Sequence, residues 1–215
     1  MEKCSGKFRL LEDGTLDGDA RIEYTGQFGI DKKMANEDDS AVQREETLRT
    51  ELKTRISTAE ISDIKIENVT DPVKPFTYSF HVHIPGYAQR TGKRLFLQPI
   101  FFRHGIGPMF VATDRKQQVY FHYPWSEKDE LEIELPAEFT LDNADKPGPI
   151  SAGAVSQYNI YIGVNNESHK LIIKRDFFFG GGGNILFPEQ AYAQLKQLFD
   201  QVNKNDEHII TLKQR

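Results

Sequence analysis

Apolar and polar residues alternate with a period of two over much of this chain. In residues 75–86, PFTYSFHVHIPG, Phe76, Tyr78, Phe80, Val82 and Ile84 fall on one parity, and Thr77, Ser79, His81 and His83 on the other. That pattern predicts a half-buried strand. QVYFHYP (118–124) repeats it with Val119, Phe121 and Tyr123 inward. DELEIELP (129–136) does so with Leu131, Ile133 and Leu135 inward and Glu130, Glu132 and Glu134 outward. Segments 157–164 and 168–176 flank VNNE and predict a hairpin, its turn relying on the tolerance of Asn for positive φ. Shorter strands are expected at 7–11, 19–25, 61–69, 93–98 and 207–213.

Two segments carry a helical period instead. Residues 36–56 set Ala41, Leu48, Leu52 and Ile56 on one stripe, with acidic residues expected in the first turn, where the helix dipole favours them. Residues 188–203 open with Pro188 and set Ala191, Leu195, Leu198 and Val202 on another stripe. PGYAQRTG (85–92) and DNADKPGPISAGA (142–154) read as loops. Many evenly spaced strands with few helices predict a mainly β (α+β) chain. The expected architecture is a largely antiparallel two-sheet β-sandwich with two peripheral helices, at about 36–56 and 188–203, in a single domain over residues 1–215.

Composition narrows the function more than it names it. The chain has 215 residues, 38% hydrophobic and 27% charged, so it can bury a real core. Its net charge of −5, with 27 basic and 32 acidic residues well mixed, argues against a nucleic-acid surface. No apolar stretch approaches the roughly 20 residues of a membrane span. MEKCSGKFRL has no secretion signal, which points either to the cytoplasm or to a piece of a longer protein. One cysteine excludes an internal disulfide.

The candidate chemistry is sparse. FFFGGGG at 177–183 invites a phosphate-loop reading, but Asn184 and Ile185 stand where the Lys and Ser or Thr of such a loop belong. The run is expected to be a flexible connector to the last helix, with Ile185 and Phe187 tucked beneath it. His81 and His83 form an i, i+2 pair and His122 faces outward, yet no Cys or carboxylate cluster is evidently placed to complete a metal site. Cys4 lies in a terminal segment expected to fray, with no helix start behind it. The Glu130, Glu132 and Glu134 row reads as the wet side of a strand. No catalytic, cofactor or metal residue is assigned. Of 15 Phe, 8 Tyr and 1 Trp, most must be core. Tyr87, Tyr120, Trp125 and Tyr161 are expected at loops or outer faces, and Trp125, Tyr120 and Tyr87 are the candidate binding residues for a sugar ring or a peptide.

GTLDGDARIEYTGQ (14–27), GKRLFLQPIFF (92–102), the stretch from Thr113 to Pro147 and RDFFFGGGGNILFPEQAYAQLKQLFDQVNKNDEHIITLKQ (175–214) together carry a resemblance. Its recognisable points are Arg115, Leu135–Pro136, Pro147, Arg175, and Pro188 with Tyr192. The chain resembles the β-rich domain of unknown function that follows the transglutaminase-like core in large exported bacterial proteins. The resemblance implies a non-catalytic accessory module, a C-terminal fragment whose Cys-His-Asp core lies upstream. It also implies a periplasmic or cell-envelope location, and partners in that core and in an envelope protein or glycan. Cys4 lacks the Trp expected after such a nucleophile, so no catalytic residue carries over. The alternative is a free-standing carbohydrate- or peptide-binding β-sandwich.

Overall fold

The computed structural model describes residues 1–143 and 145–215; of the loop expected over 142–154, residue 144 lies outside them. Strands are numbered along the chain. The large sheet runs, edge to edge, β10 (Ile150–Ser151), β11 (Ser156–Asn165), β12 (Lys170–Phe179), β8 (Trp125–Glu134), β1 (Glu2–Leu10), β2 (Leu16–Tyr24), β4 (Phe76–Ile84) and β3 (Glu60–Glu67). A second sheet has the order β5 (Gln89–Thr91), β6 (Arg94–Leu97), β14 (Ile210–Gln214), β9 (Phe139–Asn143). A two-stranded ribbon pairs β13 (Leu186–Phe187) with β7 (Val119–Tyr120). The fold is mainly β, as the alternation predicts. Neighbours are antiparallel except β1 and β8, which run parallel from Glu2↔Glu127 to Arg9↔Glu134.

Parity decides which face is dry. Phe8, Leu10, Leu16, Ile84, Leu131, Ile133 and Leu171 on the large sheet pack on Leu95, Leu97, Phe139, Ile210 and Leu212 of the small one, giving a sandwich core. Toward the β3 edge the same core takes in Leu48, Leu52 and Ile56 from the helical segment around residues 41–55. Toward β10 a second cluster joins Tyr158, Phe177 and Phe179 to Tyr192, Leu195, Phe199 and Val202. The opposite face of the large sheet is charged and wet.

The helices depart from expectation at their starts. The helix expected over 36–56 forms as α2 (Ala41–Arg55), with a later start, and a helix that was not expected, α1 (Gln27–Asn36), precedes it. The chain breaks at Ser40, whose side chain accepts from the Gln43 N–H while Gln43 bonds back to the Ser40 N–H. This capping box sets the boundary, so the acidic residues 37–39 lie before the helix and its first turn contains none. Ala41 is exposed, outside the buried stripe. The last helix, α3 (Tyr192–Asp206), follows a 3₁₀ turn at Glu189–Ala191, which Pro188 caps. Its buried stripe includes Phe199 as well as Leu195 and Val202.

Three other expectations change. The strand read over 118–123 is reduced to Val119–Tyr120, and Phe121 and Tyr123 are only half-buried. In the β11–β12 hairpin it is His169, not an Asn, that takes positive φ; the Asn165 side chain instead accepts from the Glu167 and Ser168 N–H groups. The glycine run is a tied turn rather than a loose connector. The N–H groups of Gly180 and Gly181 both donate to Val155 O, at 2.8 and 3.2 Å. Gly180 has φ +88, and a Cβ on Gly181 would collide with Ala154 O, so this turn needs glycine at both positions. Ile185 and Phe187 are half-buried.

Candidate functional site

The expected binding aromatics do not come together. Tyr87 is buried, at 9% exposure, in the sandwich core, and its hydroxyl donates to Gln98 O at 2.9 Å. Its segment, read as a loop, turns inward to pack Tyr87 and Ala88 and then forms β5. Tyr120 is exposed, at 55%, on the β7–β13 ribbon beside His122, and Tyr161 is exposed on β11. Trp125 stands at the start of β8, half-buried among Phe121, Phe177, Phe179 and Phe199.

Trp125 does, however, line a cavity of about 220 Å³ under α3 and the 104–118 loop. Phe177, Phe199 and Val202 complete its inner wall, and Ile106 and Met109 stand at its mouth. The loop is held on α3 by Tyr192 Oη donating to Ala112 O and Lys196 Nζ donating to Phe110 O, both at 2.7 Å. The Phe110 ring meets Tyr192 and Phe199 edge-on. On the polar side of the cavity lie Arg103, Glu127, Arg175 and Asp206.

These four belong to a buried ionic network. Arg103 grips Asp129 with two bonds of 3.0 Å and reaches Glu2 at 2.7 Å and Glu127 at 3.4 Å. Arg175 binds Asp206 with two bonds of 2.7 Å and reaches Glu127 at 2.9 Å and Asp129 at 3.4 Å. Tyr158 donates to Asp206, and the Trp125 indole N–H donates to Glu127 Oε1 at 3.2 Å. The Arg175 guanidinium also lies over the Tyr158 and Phe177 rings. Asp129 is wholly buried and Arg175 is 2% exposed, while Glu2 and Glu127 are partly exposed, so the network ties β1, β8 and β12 to α3 through charges that are largely buried.

Burial pushes the Asp129 carboxyl up, but Arg103 first and Arg175 next outweigh it and hold it below its ordinary value. At Asp206 burial prevails over Arg175 and raises the carboxyl. Cys4 sits inside this network and not in a frayed end. It is buried in mid-β1, its Sγ 3.6 Å from Glu2 Oε1. Burial, then Asp129 and Glu2, push its thiol well above the ordinary value. Glu2, Cys4 and Asp129 offer ligand atoms within 4.8 Å of one another. The cation already among them is the Arg103 guanidinium, since Nη2 touches both carboxylates.

The network carries a sequence signal. Glu127 and Asp129 share the parity of Leu131 and Ile133, and Arg175 that of Ile173 and Phe177. A charged residue on the apolar parity of a strand marks a buried ion pair.

The histidines sit elsewhere. The β2–β4 register sets Asp17 opposite His83 and Asp19 opposite His81, so carboxylates do stand beside both rings. Each His Nδ1 lies 2.9 Å from its facing carboxylate. The hydrogen bond to Asp19 foremost raises His81 above its ordinary value. Raised folded-state affinity for the proton stabilises the fold below pH 6.5, and the contribution is lost as pH rises through the folded pKa. The His81 ring signal in an NMR titration is therefore expected to show a midpoint above 6.5 that falls in Asp19→Asn. A midpoint unchanged by that substitution would remove Asp19 as the cause.

Among the described residues, no helix is long and apolar enough to cross a membrane. A family model described as a domain of unknown function with solved structure (DUF3858) matches residues 93–212, more than half of the chain. All residues lining the cavity fall inside that span, whereas the 14–27 segment that shares in the resemblance lies outside it. No curated protein and no solved structure matches.

Proposed function

The chain belongs to the DUF3858 family of domains of unknown function, and from that premise we propose that it is a non-catalytic interaction module. The parent would be a large exported bacterial protein with a transglutaminase-like core. The position of the thiol carries this reading. A papain-type nucleophile needs an accessible cysteine with a lowered pKa, a base within hydrogen-bond reach and oxyanion donors. Cys4 is buried mid-strand between carboxylates that raise its pKa. The arginines and carboxylates around it are bound to one another, which suits them to holding shape.

On this reading the module acts by contact, in the periplasm or cell envelope, positioning the core or holding an envelope partner. The alternative, a carbohydrate- or peptide-binding sandwich built on a row of aromatics, has less support. Tyr87 is in the core, and Tyr120 and Trp125 belong to different surfaces.

Residues 1–215 are expected to show no transglutaminase, protease or amidase turnover. A longer protein that includes the proposed core should be active and should lose activity when residues 1–215 are removed. Turnover by residues 1–215 that vanishes in Cys4→Ala would overturn the module reading.

A further inference from the structure

The cavity under α3 holds an imbalance that the module reading leaves unused. Among the described residues of the network, two guanidiniums, Arg103 and Arg175, face four carboxyls: Glu2, Glu127, Asp129 and Asp206. Arg55, bonded to the Phe101, Phe102 and His104 carbonyls beside Arg103, offsets one more, which leaves the carboxylates one charge in excess. Every nitrogen of Arg175 is already bonded to a carboxylate, and so are Nε and Nη2 of Arg103. An incoming anion would meet spent donors and more negative charge. A cation would find excess negative charge behind it and the aromatic walls of Trp125, Phe177 and Phe199 around it. About 220 Å³ accommodates an aliphatic stem with one charged head.

Resting on the interaction-module reading, we propose that this cavity receives one lysine or arginine side chain presented by a partner protein. The rim points to a protein rather than a free amine. Ile106 and Met109 line the mouth from the 104–118 loop, exposed at 40% and 51%, and offer an apolar collar that only a larger partner would cover. The stem lies along the apolar wall and the head approaches Glu127, whose Oε1 also accepts the Trp125 indole N–H.

Trp125 is the chain's single tryptophan, so its indole N–H gives one unambiguous NMR signal. The full chain would be titrated at low salt with the capped amides of lysine, arginine and norleucine, and with butylamine. Lysine and arginine amides are expected to move the indole signal saturably, with norleucine amide roughly tenfold weaker or worse, and added salt should weaken the effect. Glu127→Gln should reduce binding. If that variant fails to fold, Met109→Lys, at an exposed position, sets a like charge at the mouth and should weaken binding severalfold in a folded protein. Equal shifts with norleucine amide, or none with any probe, would overturn the proposal. Butylamine binding as tightly as lysine amide would overturn the partner-protein source. These results are independent of the turnover assay: failure here leaves the module reading standing, and Cys4-dependent turnover leaves a binding result standing.

Discussion

Arg175→Met is expected to destabilise the fold by about 3–5 kcal/mol. The side chain is nearly inaccessible and joins three carboxylates, Glu127, Asp129 and Asp206, on β8 and α3. Methionine keeps much of the volume and packs on Tyr158 and Phe177, but it leaves Asp206 and Asp129 without their shared cation. What is measured is then the penalty of stranding buried charge and not the net worth of the pair. The double variant Arg175→Met with Asp206→Leu should recover part of the loss, because an apolar pair removes one of the stranded charges. Recovery stays incomplete while Glu127 and Asp129 still rely on Arg103 alone. Urea unfolding of the two variants beside the parent chain tests both statements. A loss under about 1 kcal/mol in the single variant, the range of exposed pairs, would show that the network is solvated in solution.

Phe199→Ala is expected to cost about 3–5 kcal/mol as well, by another route. Phe199 is the ring through which α3 meets the large sheet. It touches Phe110, Phe121, Trp125, Phe177 and Phe179, lying nearly parallel to Trp125 with centroids 6.1 Å apart. Its removal opens a cavity that rings on fixed strands cannot collapse to fill. Trp125 should report the change directly, through a shift of its fluorescence toward that of a wetter indole. A variant with parental stability and parental Trp125 emission would mean that α3 is anchored by its other contacts, Tyr192, Leu195, Val202 and the Asp206–Arg175 pair.

Much of the frame was readable from alternation. Phe76, Tyr78, Phe80, Val82 and Ile84 are all buried, as are Leu131, Ile133 and Leu135. Local patterning could not show that β1 inserts beside β8, because that pairing joins distant segments and nothing in either strand's own parity names its partner. The start of α2 is legible in Ser40 and Gln43, whose reciprocal bonds cap it, and the apolar stripe begins only after that cap. Tyr87 was misplaced because Gly and Pro around it signal a turn, while its own side chain still fills the core. The site was half legible. Trp125 is among the candidate binding residues, and Arg175 is among the points of the resemblance. Asp129 stands on the parity of Leu131, Ile133 and Leu135, but the partners that make its burial tenable, Arg103 and Arg175, are remote in sequence.

The parallel seam between β1 and β8 bears on how the chain reaches this state. β1 can pair with β2 as soon as both have been made, yet its other edge has no partner until residues 125–134 have left the ribosome. During that interval the hairpin presents an open row of N–H and C=O groups, with Cys4 and the Phe8 ring uncovered, which is where intermolecular strand pairing begins. Closing the seam depends on contacts between remote parts of the chain, so it belongs among the slow steps of folding. Glu2 and Lys3 pair with Glu127 and Lys128 in register, like charge beside like charge, at the first rungs of that seam. Arg103 lies between Glu2 and Glu127, at 2.7 and 3.4 Å, and offsets the repulsion of the first of those rungs, so its guanidinium also serves as a clasp of the seam.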